Sequence, residues 1–143
     1  MPERGENQLN KAQASFTGKT CCLFDFDDAQ TAYDHMEMEF VFFYGAAYYN
    51  PKGRLEHYLH TWDEGARSLV KCKKCGAFFL VQDSEYHGRE DSYYTDWYQV
   101  EGEKEAERLN AMFDGYALES RYHAPWIKKT NSVLTWSKGK SSS

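Results

Sequence analysis

Apolar and polar side chains alternate along much of this chain with the period of two that marks a strand with one buried face. Leu55, His57, Leu59 and Thr61 alternate with Glu56, Tyr58, His60 and Trp62. Asp63-Glu64-Gly65 reads as a turn, and Ala66–Lys71 as the returning strand. Ala77–Val81 and Tyr93–Val100 form two further strands, joined by a polar connection over Asp83–Ser92. Near the C-terminus, Trp126–Lys129 and Val133–Trp136 flank Thr130-Asn131-Ser132, the pattern of a hairpin. Upstream, Lys19–Phe26 reads as a strand, with Asp27 and Asp28 as turn or cap residues. Ala29–Met38 suits a short helix, and Glu37–Tyr49 a strand interrupted at Gly45. Asn50-Pro51-Lys52-Gly53 is a turn by composition.

Only one segment carries a clear helical period. Glu103–Phe113 sets Ala106, Leu109, Met112 and Phe113 on one face. Glu103, Glu105 and Glu107 place negative charge in its first turns, where the helix dipole favours it. Asp114-Gly115 supplies the stop. The expected class is therefore α+β, with a mainly antiparallel sheet, one clear helix and a second near 29–38. One domain over 19–137 is expected, between flexible tails at 1–18 and 138–143.

Composition changes the expected core. The chain has 143 residues, with 9 Leu, 5 Val and 1 Ile against 11 Tyr, 9 Phe and 4 Trp. Large flat rings must supply much of the burial, at roughly 150–250 Å² each. No apolar run approaches the roughly 20 residues of a membrane span. Charge sharpens the picture further. The net charge is −5, and residues 20–51 hold six acids without a Lys or Arg. No basic stripe interleaves with the aromatics, which disfavours a phosphate-tracking surface. The polar N-terminal stretch has no apolar core of signal-peptide length, so a reducing cytoplasm is the expected compartment. There, paired cysteines bind metal or stay free more often than they cross-link.

The most specific motif is Cys72-Lys-Lys-Cys75-Gly76, set between two strands. Two thiolates at this spacing can reach one tetrahedral ion, and the glycine lets the backbone fold around the sulfurs. The motif resembles the zinc knuckle of zinc-ribbon and rubredoxin-like proteins over about ten residues. That resemblance implies a bound structural zinc. A knuckle supplies two ligands, and the remaining cysteines are the adjacent Cys21 and Cys22. Adjacent strand residues face opposite sides, so both join one site only where the strand ends or becomes irregular. A set of Cys72, Cys75, Cys21 and Cys22 is the leading expectation. One upstream cysteine with a histidine, from His57, His60 or His87, is the alternative, and free thiols without metal are a third.

Cys22-Leu-Phe-Asp25-Phe-Asp27-Asp28 resembles the first motif of haloacid-dehalogenase-type phosphatases, which would make Asp25 a nucleophile and Asp27 an acid/base. Ala29 stands where that family has Thr, and the later strands read as antiparallel where the family needs a parallel sheet. Carboxylates capping a turn are the simpler expectation. His87, with Glu85 or Asp91, is a weaker acid/base candidate.

Taken together, these features lead to an acidic protein-binding protein with a structural zinc knuckle and no catalysis of its own. An inhibitor or immunity-type protein that meets a basic toxin or nuclease fits this size and charge. Nucleic-acid association through Lys71, Lys73 and Lys74 is the alternative, and a phosphatase-like or histidine-based hydrolase the third.

Overall fold

A computed structural model describes residues 16–47, 64–87, 89, 91–112 and 124–138. Within them, six strands form one sheet in the order β1-β2-β3-β4-β5-β6. These are β1 (Met38–Ala47), β2 (Glu64–Cys72), β3 (Phe78–Tyr86), β4 (Ser92–Val100), β5 (Trp126–Thr130) and β6 (Val133–Ser137). Every neighbouring pair is antiparallel. The helical elements are a 3-10 turn (Cys22–Asp25), α1 (Ala29–Asp34) and α2 (Glu103–Met112). The molecule is thus predominantly β, which corrects the expected α+β class.

The local reasons for that correction are visible. Lys19–Phe26 is not a strand. The Phe24 N–H donates to the Cys21 carbonyl at 3.0 Å, and the Cys21 sulfur accepts from the Leu23 N–H at 3.5 Å, which closes the 3-10 turn. The expected helix at 29–38 stops at Asp34. Its start is capped as expected, with Asp28 Oδ1 accepting from the Thr31 N–H at 2.8 Å. The His35 N–H then bonds the Thr31 and Ala32 carbonyls, and the chain is free to enter β1 at Met38. The supposed turn at 63–65 is partly strand, since β2 begins at Glu64. The polar connection at 83–92 is partly strand too, because β3 runs to Tyr86 and β4 starts at Ser92. The expected strand at 54–62 and the helix stop at 114–115 lie outside the described residues.

Alternation along the strands produces two buried faces. On one, Leu69, Leu80 and Tyr98 lie side by side in register and pack with Val100 against Ala106 and Leu109 of α2. Leu109 is fully buried, which is worth about 2 kcal/mol by area. On the other, Cys72 and Phe79 pack against Cys21, Leu23, Phe24 and Ala32. Rings carry this second face as composition suggested. Phe24 lies 6.2 Å from Phe79 and 5.9 Å from Trp136, and Tyr33 meets Trp97 edge-on at 5.7 Å.

A polar row crosses the α2 face. Arg67, Gln82, Asp96 and Lys128 stand directly opposite one another on β2, β3, β4 and β5, and all four are buried. Arg67 Nε donates to Gln82 Oε1 at 2.9 Å, and its Nη1 reaches the Asn110 carbonyl at 3.3 Å. Lys128 Nζ donates to the Tyr98 hydroxyl, lies 3.8 Å from Asp96 Oδ1, and sits over the Tyr98 and Trp126 rings. Removing one partner from such a buried pair strands the other charge. Asp96→Ala is therefore expected to lower stability by about 3–5 kcal/mol. Urea unfolding checks it, and a loss below about 1 kcal/mol, the range of exposed pairs, would rule the row out as a packing constraint.

Candidate metal centre

The cysteine motif lies at the turn between β2 and β3. Cys72 ends β2, Lys73–Cys75 turn, and Phe78 begins β3. Backbone bonds define the turn: the Cys72 N–H donates to the Ala77 carbonyl at 2.7 Å, and the Gly76 N–H to the Cys72 carbonyl at 2.9 Å. Gly76 has φ +83°, a left-handed conformation that costs an ordinary residue roughly 1–2 kcal/mol.

The other two cysteines come from the 3-10 turn. Strand geometry would have sent Cys21 and Cys22 to opposite faces; the tighter winding from Cys22 onward turns both sulfurs toward the knuckle. All four Sγ atoms lie within 4.8 Å of one another. Cys75 Sγ meets Cys21 Sγ at 3.5 Å, and Cys22 Sγ meets Cys72 Sγ at 3.9 Å. A tetrahedral ion with metal–sulfur bonds near 2.3 Å needs sulfurs about 3.8 Å apart. A disulfide needs about 2.05 Å. The spacing thus suits four thiolates around one ion, and the cysteines are free rather than paired.

Burial is graded across the cluster. Cys21 and Cys72 are buried, Cys22 is intermediate and Cys75 is exposed. Burial pushes the Cys21 thiol well above its usual range, and the neighbouring sulfurs add to that. Burial and the same neighbours raise Cys22 to about 11. Burial also acts upward on Cys75, but hydrogen bonds from the Cys22 and Ala77 N–H groups, together with the neighbouring Cys21 and Cys72 side chains, bring it down to about 7.

A second layer holds the two cysteine segments together. Gln99 of β4 is buried, and its Oε1 accepts from the Cys21 N–H at 2.9 Å while its Nε2 donates to the Lys19 carbonyl at 2.9 Å. The Lys73 N–H donates to the Glu37 carbonyl at 2.8 Å, and Lys74 Nζ to the His35 carbonyl at 3.3 Å, so the knuckle also fixes the chain entering β1. Sequence reasoning missed Gln99. Its only signal was an amide among the apolar and aromatic residues ending β4.

The other candidates separate from this centre. His87 lies just past the far end of β3, roughly 25 Å of strand from the knuckle at about 3.3 Å per residue. There its Nε2 lies 2.8 Å from Glu85 Oε1, with Asp91 Oδ1 3.9 Å from its Nδ1, on an exposed tip. His57 and His60 lie outside the described residues. Asp25 ends the 3-10 turn and Asp27 follows it, both exposed. The described sheet is wholly antiparallel, without the parallel pairing that a phosphatase of the resembled type requires.

No protein-family description, curated protein or solved structure matches this chain. The site therefore stands on its own geometry. Groups that orient metal ligands from behind typically contribute 10–100-fold in affinity. Gln99→Ala is expected to weaken metal-ion binding by about that range in competition with a chelator. An affinity within twofold of the parent would remove Gln99 from the centre.

Proposed function

We propose that this protein is a binding module for a basic protein, stapled by one structural zinc ion and without catalysis of its own. The observation that carries the reading is β1, the edge strand of the sheet among the described residues. Phe40, Phe42 and Phe43 stand 63%, 47% and 53% exposed on it. Aromatic rings at these exposures, close together on one strand, are what an interface core uses. Register shifts between Phe40 and Phe42 and between Phe43 and Gly45 disturb the strand, and such bulges discourage simple strand addition. The side chains, more than the backbone edge, are the contact.

Charge selects the partner. Asp25, Asp27, Asp28, Asp34, Glu37 and Glu39 are all exposed; Glu39 directly precedes Phe40, and Glu37 lies three residues before it. An excess of exposed acids on the segment leading into β1 favours a basic surface and speeds encounter with it. A basic toxin or nuclease, neutralised by occupation, is the partner class this charge fits. Zinc is the proposed ion because four thiolates and a closed coordination shell favour it in a structural site.

Nucleic-acid association has a lesser observation behind it, the exposed Lys73 and Lys74 on the knuckle. Lys74 is engaged with the His35 carbonyl, and Lys71 lies over the Phe78 ring at 5.8 Å and opposite Glu39 in the sheet. Those neighbours weaken a phosphate contact.

The test is capture of a partner from the native host, compared between the parent chain and Phe40→Ser/Phe43→Ser. Retention of one basic protein is expected, falling at least tenfold in the double variant and falling as salt is raised. Unchanged circular dichroism keeps the comparison fair. Capture that ignores both rings and salt would contradict the reading, as would salt-sensitive binding of single-stranded RNA with no protein retained.

A further inference from the structure

The cysteine cluster is lopsided in a chemically useful way. Cys75 is exposed, while Cys21, 3.5 Å from it, is completely buried. A peroxide reaching the cluster from solvent meets Cys75 first. The sulfur that lies 3.5 Å behind it, Cys21 Sγ, belongs to the 3-10 segment and not to its own turn. The pair is 54 residues apart in sequence, so a bond between them ties together the same two segments as a metal ion would.

We propose that Cys75 and Cys21 form an oxidation site for hydroperoxides, whose disulfide takes over the tie from the metal. This rests on the cluster being the metal centre described above. In the first step the Cys75 thiolate attacks a peroxide oxygen. A sulfur–oxygen bond forms, the oxygen–oxygen bond breaks, and the departing oxygen takes a proton, leaving Cys75 as a sulfenic acid. In the second, the Cys21 thiolate attacks the Cys75 sulfur. The sulfur–sulfur bond forms, the sulfur–oxygen bond breaks, and hydroxide leaves as water after taking a second proton. Two electrons pass from the two thiolates to the peroxide, which becomes an alcohol or water plus water. The ion loses two of its four ligands and departs, and Cys22 and Cys72 take up protons.

The geometry makes the step short. The sulfurs must close from 3.5 Å to about 2.05 Å, a movement within the reach of side-chain rotation. Gln99 holds the Cys21 backbone in place during it. The Cys22–Cys72 pair starts farther apart, at 3.9 Å, and neither member is exposed as Cys75 is.

The test treats the zinc-loaded full chain with hydrogen peroxide. It follows zinc with a metallochromic dye, thiols by titration, and linkages by peptide mass spectrometry. One zinc released per two thiols lost is expected, with a Cys21–Cys75 link, retained β structure, and reversal by a thiol reductant. Cys22→Ser is expected to keep the link, and Cys21→Ala to abolish it and drive Cys75 on to sulfinic acid. A dominant Cys72–Cys75 or Cys22–Cys72 link would overturn the proposal, as would thiol loss with zinc retained. Should the chain take up no zinc, the metal reading fails separately. The same mapping on the metal-free chain then decides the pair: a Cys21–Cys75 link upholds it as the oxidation site, and any other link removes it.

Discussion

Four sulfur atoms from two segments some fifty residues apart converge on one point, and much of the molecule is arranged around that convergence. The 3-10 turn has no long helix or strand to hold it. Its hold on the sheet comes from Leu23 and Phe24 in the aromatic face, from Gln99, and from the thiol cluster. The β2–β3 turn is bound in the same way, with a left-handed glycine that only the knuckle geometry requires. An ion bound by the four sulfurs would convert these weak attachments into one cross-link whose free energy is folding free energy.

From that cross-link the effects spread along the backbone. The knuckle holds the Glu37 carbonyl, Met38 pairs opposite Cys72, and β1 begins there. The exposed phenylalanines follow within a few residues. The thiol cluster therefore sets where the proposed docking rings stand. The sheet supplies rigidity by separate means, through the α2 face and the buried row from Arg67 to Lys128. The centre and the sheet core are thus physically distinct supports.

The sequence made some of this legible and hid the rest for definite reasons. β4, α2 and the terminal hairpin could be placed because alternation, helical period and turn residues agreed there. The 3-10 turn could not, since Cys-Cys-Leu-Phe has the composition of a strand and its winding depends on the cluster itself. That error also drove the doubt over Cys21 and Cys22, which a strand would have separated. The length of β3 was underestimated because Gln82 and Ser84 look like loop residues until their burial beside the polar row accounts for them. Aromatic richness pointed to a ring-built core, which holds for the face bearing Phe24, Phe79 and Trp136. It did not show that three phenylalanines of the densest block stay in solvent.

The central claim is that one ion joins the 3-10 turn to the knuckle and that folding depends on it. Metal analysis of the full chain as purified, paired with urea unfolding before and after chelation and with Cys72→Ser, tests this most directly. One zinc per chain is expected, with a clear fall in the unfolding midpoint on chelation and the same fall in Cys72→Ser, which chelator does not deepen. A metal-free protein whose midpoint is indifferent to both chelator and Cys72→Ser would contradict it.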